Sequence, residues 1–314
     1  MRRHRGYRGL GPEDRGAAVA IGNFDGVHLG HQTLLALARA EAERLGAPLG
    51  VVTFSPHPRR FFQPDGPPFR LQTDEGRARR LAELGVEQLY ELPFDRELAG
   101  LPAETFLTEV LCKALGVRHL VAGSDFHFGK GRRGNVALAA QLAPEHGMGV
   151  SVAPLLSIEG EEVSSTAIRA ALSAGRPEAA ARMLGGWHRI EGEVLHGDAR
   201  GRDLGFPTAN LALGDLHRPR FGVYAALVDV LDGPHAGRWL GAANIGERPT
   251  FGVNAANLEV HLLDFAGDLY GASLSVALVA WLRPEIAYRG AEPLIAQMAL
   301  DVAEARDRLA AAGA

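Results

Sequence analysis

His28 and His31 stand three residues apart in Val-Ala-Ile-Gly-Asn-Phe-Asp-Gly-Val-His-Leu-Gly-His, residues 19–31. On a helix that spacing puts both imidazoles on one face, where they can meet a single phosphate. The surrounding residues predict such a helix. Val19 to Ile21 are apolar and partly β-branched, as in a buried strand. Gly22 to Gly26 form a turn cluster whose Asn and Asp tolerate unusual backbone angles. From Gly30 onward, Leu34, Leu35, Ala38, Ala42 and Leu45 recur at spacings of three and four, and Gly46 is a stop signal. A strand, a glycine turn and a helix start leave N–H groups and partial positive charge facing the turn, a natural seat for phosphate. An isolated His-x-x-His is more often a surface, core or metal pair, but the strand and turn ahead of this one favour phosphate. No His-Glu-x-x-His is present for a zinc protease. A Walker loop also fails, because Gly129-Lys130 is followed by Gly131 and Gly123 lies one residue too far upstream.

Other segments carry groups of similar promise. Val51 to Pro58 reads as a strand ending in a proline-locked turn, with Phe61 and Phe62 behind it. Phe54 and Phe62 can stack on a planar ring there, or belong to the core. Gly123 to Gly134 puts Asp125, Phe126, Phe128, Lys130, Arg132 and Arg133 in one loop, a hold for a nucleotide or a solvated glycine loop. Ser164-Ser165-Thr166-Ala167-Ile168-Arg169 opens a helix; its hydroxyls can serve a phosphate or simply cap. Further on, His196 to Asn210 contains Gly201 and Gly205, where a bare backbone can approach phosphates closely. Pro207-Thr208-Ala209-Asn210 offers a hydroxyl and an amide oxygen, hard ligands suited to Mg²⁺. Phosphoryl transfer to a hydroxyl also needs a base. Glu259 is the candidate: it sits in the apolar run 258–265, and alternation turns it away from Leu258 and Val260. A solvent-facing strand residue is the plain alternative.

The elements that must position these groups follow from periodicity. Strands are expected at 17–22, 49–55, 87–92, 118–122 and 149–153, with helices at 30–45, 75–84, 103–115 and 135–145. Such alternation predicts a parallel sheet covered on both faces, in a Rossmann-like α/β domain. Two short helices, 166–174 and 177–184, are expected to close it, placing the boundary between domains 1–185 and 186–314. Strands at 188–196, 222–232, 237–245, 256–265 and 273–282 then follow one another, predicting an antiparallel β-barrel. A C-terminal helix near 292–309 carries Leu294, Ile295, Met298, Val302, Ala305 and Leu309 on one face. A length of 314 residues accommodates two such domains. A net charge of −4 argues against a nucleic-acid partner. No run of about 18 apolar residues predicts a membrane span. The basic start Met1-Arg2-Arg3-His4-Arg5 has no apolar stretch behind it, so a mobile arm and a cytoplasmic protein are expected. Cys112, the single cysteine, is expected as a core thiol.

Taken in order, His-x-x-His, Thr53-Phe54-x-Pro56-His57-Pro58, Gly123-x-Asp125-Phe126-x-Phe128-Gly129 and Ser164-Ser165-Thr166-x-Ile168-Arg169 resemble the adenylyltransferase half of the bacterial bifunctional riboflavin kinase/FAD synthetase family, over residues 17–184. Gly205-Phe206-Pro207-Thr208-Ala209-Asn210, Gly222-Val223-Tyr224, Asn244-Ile245-Gly246-x-x-Pro249-Thr250 and Asp268-Leu269-Tyr270-Gly271 resemble its riboflavin kinase module, over 187 to about 310. The resemblance implies phosphorylation of riboflavin to FMN, then transfer of AMP from ATP to FMN to give FAD, with Mg²⁺ as cofactor. It implies ATP contacts at Gly22, Phe24, Asp25, His28, His31, Asp125, Ser164, Thr166, Arg169, Gly201, Gly205, Pro207, Thr208 and Asn210. Flavin contacts are expected at Phe54, Phe62, Phe128, Arg283 and Glu285. His28, His31, Arg169 and Glu259 are the expected catalytic residues, and Thr208 and Asn210 the metal ligands. Riboflavin, FMN and ATP are the expected partners of a monomer or weak homo-oligomer, with no nucleic acid or membrane. The chain departs from the pattern at His127, where the family often has Arg, and in Arg283-Pro284-Glu285-Ile286-Ala287-Tyr288, which lacks the usual Lys and has Tyr288 for Phe.

Overall fold

The computed structural model describes residues 1–196, 205–247 and 256–313. They form two compact units, Met1–Gly66 with Asp74–Ser164, and Pro67–Thr73 with Ser165–Ala314.

The first unit is built on six parallel strands. These are β1 (Arg2–Arg5), β2 (Ala18–Ile21), β3 (Leu49–Ser55), β4 (Gln88–Pro93), β5 (His119–Gly123) and β6 (Gly149–Ala153), in the order β1-β4-β3-β2-β5-β6. Strand β2 shows why both faces must be covered. Its Val19 and Ile21 enter one core with Phe106, Leu107, Val110 and Leu111, while Ala18 and Ala20 enter the other with Leu34, Leu35 and Ala38. Helices α1 (Leu29–Leu45), α2 (Asp74–Glu83) and α3 (Val136–Leu142) supply the cover, together with Ala103–Thr105, which continues as a π-helix over Phe106–Ala114. Helix α1 ends at Gly46, whose φ of 58° takes the left-handed conformation a stop requires. Cys112 is only half-buried, with Sγ 4.0 Å from Met148 Sδ.

The basic start is not a mobile arm. Arg2–Arg5 is an edge strand paired in register with Gln88–Glu91. Pattern reading misses it because its contacts are polar: Arg3 Nε donates to the buried carboxylate of Glu91 at 2.5 Å, and His4 stacks on Tyr90 with centroids 5.2 Å apart.

The second unit contains helices α4 (Ser165–Ser173) and α5 (Pro177–Leu184) and six strands. The strands are β7 (His188–Glu193), β8 (Ala209–Ala212), β9 (Gly222–Val230), β10 (Gly237–Glu247), β11 (Ala256–Leu262) and β12 (Ser273–Arg283). All pairs are antiparallel, in the order β7-β12-β9-β10-β11-β8. The Leu195 N–H, just past β7, donates to the Asn210 carbonyl of β8 at 2.9 Å and nearly closes the barrel. Strand β8 is absent from the expected set because it lies within a Gly/Pro-rich run that reads as loop. Alternate residues such as Ile190, Tyr224, Val228, Ile245, Leu258, Val260 and Val276 fill the interior.

Helices α4 and α5, expected to close the first domain, pack with the second unit, as does the segment Pro67–Thr73. Backbone bonds hold this arrangement: Arg220 N donates to Leu172 O at 2.9 Å, and Arg70 N to Asp215 O at 3.1 Å. The final helix, α6 (Ala291–Ala311), seats Ala305 and Leu309 against Ala225, Leu227, Ala277 and Val279. Ile295, expected on that face, is exposed, and Asp301 is buried there. Its carboxylate accepts Nε and Nη2 of Arg283 at 2.7 and 2.6 Å and Nε2 of Gln297 at 3.0 Å, which satisfies a group that could not otherwise be buried. Among the described residues, no helix is long and apolar enough to cross a membrane. Leu309→Ala should destabilise the second unit by roughly 2–5 kcal/mol, read as a lower urea midpoint with unchanged m-value.

Candidate functional site

The turn between β2 and α1 and the first turn of α1 together carry five of the expected site residues. His28 is the N-cap of α1, with φ −66° and ψ 170°, and its Nδ1 accepts the His31 N–H at 3.4 Å. A ring nitrogen that accepts has no proton, so the neutral form of the ring carries its proton on Nε2. The His28 and His31 rings stack with centroids 3.7 Å apart, and Phe24 stacks behind His31 at 4.7 Å. Gly30 permits this crowding: a Cβ there would lie 3.1 Å from His28 Nδ1 and 3.5 Å from the carbonyl of Val163, the residue before Ser164. Burial and the neighbouring His28 hold His31 well below the usual histidine pKa, so it is neutral at pH 7. Its buried Nδ1 has no hydrogen-bond partner.

Gly22 ends β2. Phe24 is wholly buried at φ 51°, and its ring supports His31. Asp25 is buried in the same turn. Asp125 is exposed after β5, the strand beside β2, and lies over Gly123, where a Cβ would fall 2.9 Å from its Oδ1. His127, the departure from the family pattern, turns Nδ1 to the Asp125 carbonyl at 2.8 Å and so braces this loop.

Of the three expected flavin-stacking aromatics, only Phe62 presents its ring to solvent, at 67% exposure. Phe54 and Phe128 are core residues: Phe54 packs edge-on to Phe94, and Phe128 packs with Phe106 and Phe126. Phe62 ends a short helix, Pro58–Phe62, and meets Phe61 and Phe94 edge-on. Ser164 closes the first unit and is half-buried, whereas Thr166 and Arg169 lie on α4 in the second unit. Arg169 Nε donates to Phe69 O at 2.6 Å, which fixes the guanidinium in place.

On the barrel, Asn210, Glu259 and Asn244 are register partners on the neighbouring strands β8, β11 and β10. Directly opposed residues share a sheet face, so this polar row lies on the outside while Leu258 and Val260 fill the interior. Asn210 is buried, and its Oδ1 has no hydrogen-bond partner. Glu259 is half-buried and accepts Nδ2 of Asn257 at 3.1 Å. Gly205, with φ 83°, and Pro207 are exposed beside half-buried Thr208, and His261 Nδ1 holds the Pro207 carbonyl at 2.8 Å. Gly201 lies outside the described residues. Arg283 is committed to Asp301, and Glu285 accepts Nδ2 of Asn244 at 2.9 Å. Asn244, Asn257 and His261 were not among the expected site residues. Alternation along β11 already places Asn257 and His261 on the face of Glu259, whereas Asn244 comes in only through the register of β10 with β11.

Two family descriptions account for most of the chain: residues 11–167 match FAD synthetase, and residues 184–309 match riboflavin kinase. The bifunctional riboflavin kinase/FMN adenylyltransferase of Pseudomonas fluorescens is 45% identical over 303 residues, covering 96% of each chain. That of Escherichia coli K12 is 41% identical over 292 residues, covering 93% of this chain and 92% of its own. The chain belongs to the bifunctional riboflavin kinase/FMN adenylyltransferase family. A crystal structure from Streptococcus pneumoniae, described as a macrolide-efflux protein, is 31% identical and superposes with a TM-score of 0.83, covering 97% of this chain and 98% of its own. The helix N-terminal constellation lies within the residues that match FAD synthetase, and the barrel-wall constellation within those that match riboflavin kinase.

The depressed pKa of His31 makes a pH prediction for this family member. The unfolded chain takes up a proton on His31 near pH 6.5 while the folded chain refuses it, so folding stability falls as pH drops below that value. His31→Gln should flatten this loss, and urea midpoints of the first unit at pH 5 and pH 7 measure the difference.

Proposed function

We propose that the chain makes FAD from riboflavin in two ATP-dependent steps, with the residues named above in distinct roles. The barrel phosphorylates riboflavin to FMN with release of ADP. The first half transfers AMP from a second ATP to FMN with release of pyrophosphate. The observation that carries this reading is the stacked His28–His31 pair at the N-terminus of α1, in a chain that also holds the Asn210–Glu259–Asn244 row.

In adenylyl transfer a phosphate oxygen of FMN attacks the α-phosphorus of ATP, and the bond to pyrophosphate breaks. A phosphate monoester has a second pKa of about 6, so the nucleophile is already deprotonated and no general base is needed. The protein's work is positioning and charge stabilisation. His28 Nε2–H and the first-turn amides of α1 supply donors without a fixed cation, and Gly22, Phe24 and Asp25 shape the turn around the nucleotide. Asp125, Ser164, Thr166 and Arg169 take the nucleotide contacts that the resemblance implies. Phe62 is the ring offered to the flavin, with Phe54 and Phe128 as buried support.

In the kinase step Glu259 accepts the proton of the flavin ribityl hydroxyl as that oxygen attacks the γ-phosphorus and ADP leaves. Asn257 orients the carboxylate. Kinases and adenylyltransferases use ATP with a divalent metal, which neutralises triphosphate charge when bound. Mg²⁺ is the proposed ion, held by Thr208 and Asn210. A buried amide oxygen lacking a partner and a neighbouring hydroxyl are hard donors that fit it. Gly201, Gly205 and Pro207 carry the ATP contacts of that loop. Arg283 and Glu285 border the flavin, Arg283 through its anchor on Asp301 and Glu285 through Asn244. We assign the reactions to the cytoplasm and to a monomer or weak homo-oligomer acting on small molecules alone.

Incubation with riboflavin, ATP and Mg²⁺, followed by chromatography of the flavins over time, tests the scheme: FMN should appear first and FAD after it. His28→Ala should lower FAD formation by about 10²–10³-fold and spare FMN formation. Glu259→Ala should lower FMN formation by about 10²–10⁴-fold yet still give FAD from supplied FMN. A folded variant of either kind that loses both activities would overturn the two-site scheme.

A further inference from the structure

Arg77, on α2, is completely buried, the largest side chain with that property among the described residues. A guanidinium is costly to bury and does not lose its charge. Its surroundings show what it is for. Nη2 lies 3.0 Å from Glu91 Oε1 and 3.0 Å from Asp74 Oδ1, and Asp74 Oδ2 also accepts the Ser55 hydroxyl at 2.7 Å. Glu91 is itself buried and held from its other side by Arg3. The remaining terminal nitrogen, Nη1, reaches toward two backbone carbonyls, Asn23 O at 3.4 Å and Phe54 O at 3.5 Å. Thr53 Oγ1, also fully buried, donates to the same Asn23 carbonyl at 3.1 Å.

That carbonyl sits in the most strained turn of the first unit. Between β2 and α1, Phe24 has φ 51°, Gly26 φ 91° and Val27 φ 43°. Positive φ is unfavourable for an aromatic residue and more so for a β-branched one, and such a backbone persists only where its surroundings hold it. The side chains of Phe24 and Val27 are buried, and Gln32 Nε2 donates to Val27 O at 3.0 Å, which holds the far end of the turn. At the near end the hold on Asn23 comes from Thr53 and Arg77. We propose that Thr53 and Arg77 are positioning residues of adenylyl transfer: by gripping the Asn23 carbonyl they keep the strained turn in the form that aims His28 and His31. Neither side chain touches the reacting atoms. Their effect passes through the backbone of residues 22–28.

The inference rests on the adenylyl-transfer reading given above, and its test separates the two. Thr53→Val keeps the shape and loses the hydroxyl, whereas Thr53→Ser keeps the hydroxyl and loses a methyl. If the bond to Asn23 matters, Thr53→Val should lower kcat for FAD formation about tenfold with little change in KM, and Thr53→Ser should stay near wild type. A packing role reverses that order. Arg77→Lys should fall between wild type and Arg77→Met, and FMN formation by the same protein should be unchanged throughout. Amide hydrogen exchange provides a readout independent of turnover: residues 23–27 should exchange faster in Thr53→Val while β3 and β4 keep their protection. Unchanged kcat in Thr53→Val, a larger loss in Thr53→Ser, or parallel loss of both activities overturns the inference. A wild-type protein without FAD formation would sink the adenylyl reading instead, and the exchange pattern would still decide the role of Thr53 and Arg77.

Discussion

A single bond organises the first half: the His31 N–H closing on Nδ1 of His28. The first turn of any helix leaves amide groups without partners, and the usual remedy is a Ser, Thr, Asp or Asn side chain. Here the cap is an imidazole. Using it as a cap consumes one nitrogen and determines which one still carries a proton. Stacking on His31 then makes a second positive charge costly. The proposed phosphate site would draw on the first-turn amides and the helix dipole, which cost no counter-charge when no ligand is bound. The strained turn follows from the same requirement: the chain must reverse from β2 into α1 within a few residues and still deliver His28 at the first one.

The barrel solves its own problem by register. Asn210, Glu259 and Asn244 lie abreast because β8, β11 and β10 pair as they do. A slip of one residue in β11 would turn Glu259 into the space of Leu258 and Val260 and send those residues outward. The apolar interior therefore specifies the polar row. Burial of Asn210 without a partner for its amide oxygen would be a defect in a purely structural barrel, since an unmet buried acceptor costs stability. Beside Thr208 and Glu259 it agrees with the metal-ligand role proposed for Asn210.

Much of this was readable in the sequence where hydrophobic period and turn chemistry agree. The alternation of strands and helices, the stop at Gly46, the succession of antiparallel strands and the outward face of Glu259 all rest on short-range pattern, and so did the motifs that carried the family resemblance. What escaped depends on pairing between distant residues. Arg2–Arg5 looks like a charged tail because its partners, Glu91 and Tyr90, lie far along the chain. Asp301 looks like a surface residue on a helix until Arg283 is placed opposite it. Phe54 and Phe128 belong to a motif that suggests ligand stacking, yet they are core side chains, since aromatic type alone does not distinguish support from contact. Helices α4 and α5 follow the first half of the chain in sequence but pack with the second unit, a pairing that local pattern does not show.

Arg77 is the sharpest instance of that limit. Helix α2 reads Asp-Glu-Gly-Arg-Ala-Arg-Arg-Leu-Ala-Glu, and no periodicity marks which of its three arginines is interior. The sheet beneath it decides. Ala78 and Leu81 also face inward, and Arg77 shares their side one turn after Asp74. An apolar residue at position 77 would pack more cheaply by itself. It would also strip the buried Glu91 of one cation and leave the Asn23 and Phe54 carbonyls without the positive charge they face. Such a cluster is stable only when complete, because each buried polar member depends on the others for its hydrogen bonds. The charge is thus tied to the shape of the turn above it, and through that turn to the two histidines at the start of α1.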